Sequence, residues 1–140
     1  LIVAGKPFNQ AIKKETENIA CGSNIHCFLE HIPDEKVQLF FNASDVVVLP
    51  YQNVLTSGAA ILALSFGKKI IAPSLGCLPE LISDGAGYLY KTESGLRDAM
   101  YFSRNEWNGE AFNKKALEIA EALNWERIVK EGYLPLIVKG

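Results

Sequence analysis

The segment Pro50-Tyr51-Gln52-Asn53-Val54-Leu55-Thr56-Ser57-Gly58-Ala59-Ala60 follows an apolar run and opens a stretch of helical period. A helix amino terminus carries unpaired backbone N–H groups and a partial positive charge. Small residues there let an anion approach closely, and a diphosphate suits such a seat. The same Thr56 or Ser57 would also serve any helix as an ordinary N-cap, so the local pattern leaves both readings open.

A second segment, Ala72-Pro73-Ser74-Leu75-Gly76-Cys77-Leu78-Pro79-Glu80, combines a glycine that permits a tight turn with a carboxylate that could accept hydrogen bonds from ligand hydroxyls. Pro79 and Glu80 would equally start a helix, with Glu80 complementing its dipole. Gly5-Lys6-Pro7 could bring a cation and bare backbone toward a phosphate, a weak signal taken singly. The chain has neither GxGxxG nor GxxxxGK[ST], which disfavours dinucleotide oxidoreductases and P-loop nucleotidases. His26 and His31 belong to no Ser-His-Asp or HExxH pattern and read as structural, His31 being the better placed to face a site. Trp107, Trp125, Tyr101 and Tyr133 recur at helical spacing and read as core or helix-docking residues. Lys114 and Lys115 with Glu118 and Glu121 read as a solvated helix face supported by i,i+4 pairs.

These loops need a scaffold, and the periodicity supplies one. Strands are expected at Leu1 to Ala4, Ile25 to Leu29, Asp45 to Leu49, Lys69 to Ala72 and Gly87 to Tyr90. The third is apolar at every position, which predicts burial on both faces and a central parallel strand. Helices fall between them. Asn9 caps one that ends near Gly22, and Pro33 and Asp34 open another with Val37, Leu39, Phe40 and Phe41 as its apolar face. A third runs from Ser57 to Phe66 with Gly67 as a left-handed cap, apolar enough all round to bury several sides. After Tyr90, Thr92 precedes a helix, a long one reaches Leu123, and Trp125 to Val138 forms the last. Right-handed crossovers turn this order into an α/β, three-layer, doubly wound parallel sheet with carboxyl-terminal helices. Ligands of such sheets bind beyond the carboxyl ends of the strands, where the informative loops lie.

Composition agrees with one globular domain over residues 1–140. The chain is 49% hydrophobic and 21% charged, with a net charge of −2 that offers no field for a nucleic acid. Cys21, Cys27 and Cys77 lack the spacing of a disulfide framework or a zinc site, which fits a reducing cytoplasm and no bound metal. No apolar run reaches the ~20 residues of a bilayer span, although peripheral contact with the inner face of a membrane is compatible with this composition. The chain starts at Leu1 inside an apolar run without an initiator methionine, so a domain truncated at its amino terminus is expected.

Taken together, the segments are similar to one family. Ile32-Pro33-Asp34 through Asn42-Ala43-Ser44-Asp45-Val46-Val47-Val48-Leu49-Pro50-Tyr51 resembles the helix, Ala-Asp, apolar strand and Pro-Ser/Tyr loop of glycosyltransferase family four, also called group one. Ser57-Gly58, Ala63-Leu64-Ser65-Phe66-Gly67-Lys68, Ile70-Ile71-Ala72-Pro73, Gly76-Cys77-Leu78-Pro79-Glu80, Asp84-Gly85-Ala86-Gly87 and Asn124-Trp125-Glu126-Arg127 follow in the family's order. The resemblance implies the carboxyl-terminal, Rossmann-like half of a GT-B enzyme that holds a nucleoside-diphosphate sugar and transfers it, commonly with retention and without metal or other cofactor. It assigns Val54, Leu55, Thr56, Ser57, Gly58 and Ala59 to the diphosphate and donor sugar. His31, Ile32, Leu62 and Glu80 would border the base and ribose, and Gly5 and Lys6 form a possible phosphate loop. Many members carry two glutamates seven residues apart, where this chain has Val54 and Leu62, so backbone and hydroxyl contacts must serve instead. The resemblance also implies an acceptor domain and basic residues upstream of Leu1, and hence a fragment that does not catalyse transfer alone. Two other readings compete. A GT-B nucleotide-sugar epimerase needs acidic and histidine residues in its cleft, and a flavodoxin-like interaction domain needs no catalysis.

Overall fold

The computed structural model describes residues 1–82, 85–105 and 109–133. The chain divides into two compact units, Leu1–Ser44 and Asp45–Gly140.

In the first unit, β1 (Ile2–Ala4) is followed by α1 (Gln10–Ala20), β2 (His26–Phe28) and α2 (Asp34–Ala43). β1 and β2 pair in parallel with Ile2 opposite His26. The expected cap forms: Asn9 Oδ1 accepts from the Ile12 amide at 2.9 Å. α2 starts after Pro33 with Asp34 and Glu35 in its first turn, where they complement the dipole. Its inner stripe is Val37, Phe40 and Phe41, at the i, i+3, i+4 spacing of one helix face. Phe40 meets Phe28 edge-on at 5.1 Å. Leu39, expected on that face, is 61% exposed, because two residues of helix rotate it far from Val37.

The second unit contains β3 (Val46–Val48), α3 (Gly58–Ser65), β4 (Lys69–Pro73), α4 (Leu78–Leu81), β5 (Gly87–Tyr90), α5 (Glu93–Asn105), α6 (Gly109–Ala122) and α7 (Trp125–Arg127). Its three strands form one parallel ladder in the order β3-β4-β5. The most buried strand is β4, all five of whose residues are buried, whereas Val46, Val47 and Val48 are half-buried. This corrects the expectation drawn from the all-apolar 46–49 run. β4 has a partner on each side and is covered by α3, α5 and α6, while β3 lies at one end of the ladder.

The core gathers Ala60, Ala63, Leu64, Ile70, Ile71, Ala72, Leu78, Ile82, Ala86, Ala99 and Ala116. α3 therefore buries the stripe 60, 63, 64 and exposes Ile61 and Leu62, so it does not bury several sides as its composition suggests. Lys69 is fully buried, its ammonium 3.8 Å from the centre of the Phe112 ring and 5.2 Å from that of Tyr88. Such cation–π contacts contribute ~2 kcal/mol when desolvated.

Tyr101 and Trp125 are 67% and 72% exposed, contrary to their expected place in the core. α5 turns Ala99 and Ser103, four residues apart, inward, which sends Tyr101 outward. Trp107 and the side chain of Tyr133 lie outside the described residues. Lys115 pairs with Glu118 at i,i+3, 3.8 Å apart. The expected helix over 125–138 is one α turn capped by Asn124, then a π-helical stretch at 128–133, and its remainder lies outside the described residues. Among the described residues no helix is long and apolar enough to cross a membrane.

Candidate functional site

The loops that leave the carboxyl ends of β3 and β4 meet in the second unit. The Leu49 amide still donates to Ile71 at 2.9 Å, and beyond it the chain turns at Pro50 and Tyr51 toward α3. The loop after β4 turns at Gly76, whose φ is +53°. The Cys77 amide then donates to the Leu55 carbonyl at 3.1 Å, which fastens the two loops together. A side chain on Gly76 would drive its Cβ into the Val54 carbonyl oxygen and to 2.8 Å from that of Leu55. Only glycine allows both the left-handed turn and this approach.

Ser57 begins α3 as its N-cap. Its Oγ accepts from the Ala60 amide at 3.1 Å and lies 3.0 Å from the Tyr51 hydroxyl. The Ser57 carbonyl accepts from the Ile61 amide at 3.3 Å. The amides of Gly58 and Ala59 take part in neither set of bonds. In front of Gly58 the space is open, with nothing within 4 Å of where a Cβ would stand. No acidic residue occupies the first turn of α3, so the helix supplies no carboxylate of its own to offset the positive end of its dipole. Two amides outside the helix's own bonding, a first turn without an acidic residue and open space beside Gly58 suit an anion.

The other expected residues divide between the units. Val54 to Ala59 come together at the loop junction and α3 start, and Leu62 lies one turn further along α3, on the same face as Gly58 and 39% exposed. Glu80 lies on α4, exposed, with its amide bonded to the Cys77 carbonyl at 3.1 Å. Gly5, Lys6, His31 and Ile32 belong to the first unit. There the Gly5 amide donates to the Phe28 carbonyl at 3.1 Å, and both Lys6 and His31 are exposed. Tyr90, at the carboxyl end of β5, accepts from the Ser74 amide at 2.8 Å through its carbonyl, and burial raises its phenol above the ordinary value. A separate open groove of ≈ 790 Å³ lies at the opposite end of α3, among Ser65, Lys114, Leu117, Glu121, Asn124 and Arg127.

Sequence reasoning did not single out Tyr51 as a site residue. Its signal was available only as a hydroxyl six residues before a cap serine, a separation that says nothing until the loop is folded.

Against known proteins, residues 1–102 match the family model described as glycosyl transferases group 1. The chain is 29% identical over 98 residues to a GDP-mannose:glycolipid 4-beta-D-mannosyltransferase of Xanthomonas campestris, covering 66% of this chain and 28% of that protein. It is 27% identical over 133 residues to a D-inositol 3-phosphate glycosyltransferase of Geodermatophilus obscurus, covering 91% of this chain and 30% of that one. The chain thus spans under a third of the length of these curated relatives. Among solved structures, sucrose-phosphate synthase of Thermosynechococcus elongatus superposes with a TM-score of 0.74 at 22% identity, over 100% of this chain and 38% of that one. The catalytic domain of starch synthase IV of Arabidopsis thaliana, bound to ADP and acarbose, gives 0.70 at 21% identity, over 99% of this chain and 31% of that one.

Proposed function

The chain belongs to the group 1 glycosyl transferases, and from that premise we propose that it is the donor-binding part of an enzyme that moves a sugar from a nucleoside diphosphate to an acceptor. The observation that carries this reading is the open start of α3, where the space beside the Gly58 Cα is free and the two loops leading to it are fastened at Cys77 and Leu55. Seated there, the diphosphate gains charge as the sugar departs. Amides already aimed at it stabilise that charge without reorganising.

The helix terminus does the work of a metal in this scheme, and none is required for binding. Val54 and Leu55 flank the donor sugar, Leu62 and Glu80 lie toward the ribose and base, and transfer proceeds with retention. The GDP-mannose in one relative's name supports a nucleotide donor. The chain spans under a third of its curated relatives' length, and nothing in these 140 residues is assigned to the acceptor. The enzyme works on the cytoplasmic side of the membrane, as a soluble or peripheral protein.

Calorimetric titration of the full-length gene product with UDP, GDP and ADP, with and without EDTA, tests this. One of the three should bind at micromolar concentration and keep its affinity in EDTA. Absence of binding by all three, or binding that EDTA abolishes, would sink the proposal.

A further inference from the structure

Strand β3 combines the sequence of a central strand with the position of an end strand. Val46, Val47 and Val48 put apolar side chains on both faces of the sheet, yet they are only half-buried, and among the described residues β3 pairs with β4 alone. The register shows which backbone groups are left over. The Leu49 amide donates to the Ile71 carbonyl, and Val48 stands opposite Ile71. Peptide groups along a strand face its two sides alternately, so Val47, like Leu49, points its N–H and C=O at β4, and Val46 and Val48 point theirs away from it. Sheet ends are ordinarily guarded by a lysine, a proline or a bulge that discourages further pairing. β5, at the other end of the same ladder, opens on Gly87 and is followed at once by Lys91, whereas Val46 to Val48 hold no such device.

We infer that the outer edge of β3 is a pairing surface, filled in the full-length gene product by one more parallel strand of the same polypeptide. The pairings β3-β4 and β4-β5 are both parallel, and strands inside parallel sheets are covered on both faces and read as unbroken apolar runs, as β3 does. A parallel neighbour is reached only through a crossover of a dozen or more residues, so it comes from sequence well separated from β3 rather than from a hairpin. These 140 residues span under a third of the curated relatives' length, and the remainder of such a protein has ample chain for a strand and its crossover. A second copy of this chain fits less well, because two identical strands meeting across a two-fold axis in edge-to-edge pairing run antiparallel. The strand that fits is apolar at successive positions, since it extends the layers that flank β3 on both faces. Its pairing does not depend on what α3 binds.

Hydrogen exchange of the full-length gene product, read at single amides by mass spectrometry, tests this without a substitution. A paired amide exchanges only when its strand opens, so the Val48 amide should exchange within ~100-fold of the Val47 amide that β4 holds. A Val48 amide faster than that margin leaves the edge open and overturns the inference. Proline supplies an independent arm, because an open edge tolerates the loss of an outward N–H and a paired strand does not. Val48→Pro should melt ~5 °C or more below Val48→Ala, which loses the same valine but keeps the amide. Equal melting temperatures for the two variants would contradict the pairing. Sedimentation at the concentrations used for exchange identifies the occupant: protection should persist in the monomer. Protection that disappears as a dimer dissociates would assign the edge to a second copy and overturn the intramolecular strand.

Discussion

Gly76→Ala is expected to lower stability by ~2–4 kcal/mol and to weaken nucleoside diphosphate binding by ~10- to 100-fold. Two separable effects add. A left-handed backbone costs a non-glycine residue ~1–2 kcal/mol. The new Cβ also meets the Val54 and Leu55 carbonyls, so the loops must part and the Cys77 to Leu55 hydrogen bond must lengthen or break. Because that bond holds the loop leading into Ser57, an affinity loss should accompany the stability loss. Gly85→Ala is the control. Gly85 also has a positive φ, +91°, but open space around its Cβ position. It should show the backbone strain without the loss of affinity, as measured by urea unfolding and by calorimetry on the same preparations.

The second large effect separates stability from binding. Gly58 is in the first turn of α3 with unobstructed space, so Gly58→Asp fits sterically. A carboxylate at a helix amino terminus contributes ~0.3–1 kcal/mol, and removing a helical glycine adds a few tenths more, so the folded protein should be as stable as wild type or slightly more so. The same charge stands where the diphosphate must sit. At ~4 Å and an effective dielectric near 20, two like charges repel by ~4 kcal/mol, enough for an affinity loss of ~100-fold or more. Gly58→Asn has the same shape without the charge and should retain most of the binding. Equal binding by Gly58→Asp and Gly58→Asn would show that no anion approaches this helix end.

Much of this scaffold was legible because its signals are local. Asn9 and Ser57 act as caps where their spacing to the following helical residues predicts, and Gly22 and Gly67 adopt positive φ just beyond the helices they end. Burial was less legible. An unbroken apolar run reports covered faces, but a strand's place in the ladder depends on pairings made far along the chain, so Val46 to Val48 looked more central than Lys69 to Pro73. Lys69 itself was invisible as a core residue, since its type predicts exposure and the Phe112 and Tyr88 rings against its ammonium lie far along the chain. Within the site, the residues from Val54 to Ala59 followed from a family resemblance and from the physics of helix ends. The fastening of Gly76 against Val54, and the hydroxyl pair of Tyr51 and Ser57, are tertiary contacts with no periodic signature.

All of these expectations depend on where the phosphates go. A crystal structure of the full-length gene product with its preferred nucleoside diphosphate decides this most directly. Phosphate oxygens should lie within ~3 Å of the Gly58 and Ala59 amide nitrogens, the normal span of an N–H···O bond. A diphosphate held instead at Lys6 or in the groove beside Arg127, with the Gly58 and Ala59 amides facing water, would contradict the account.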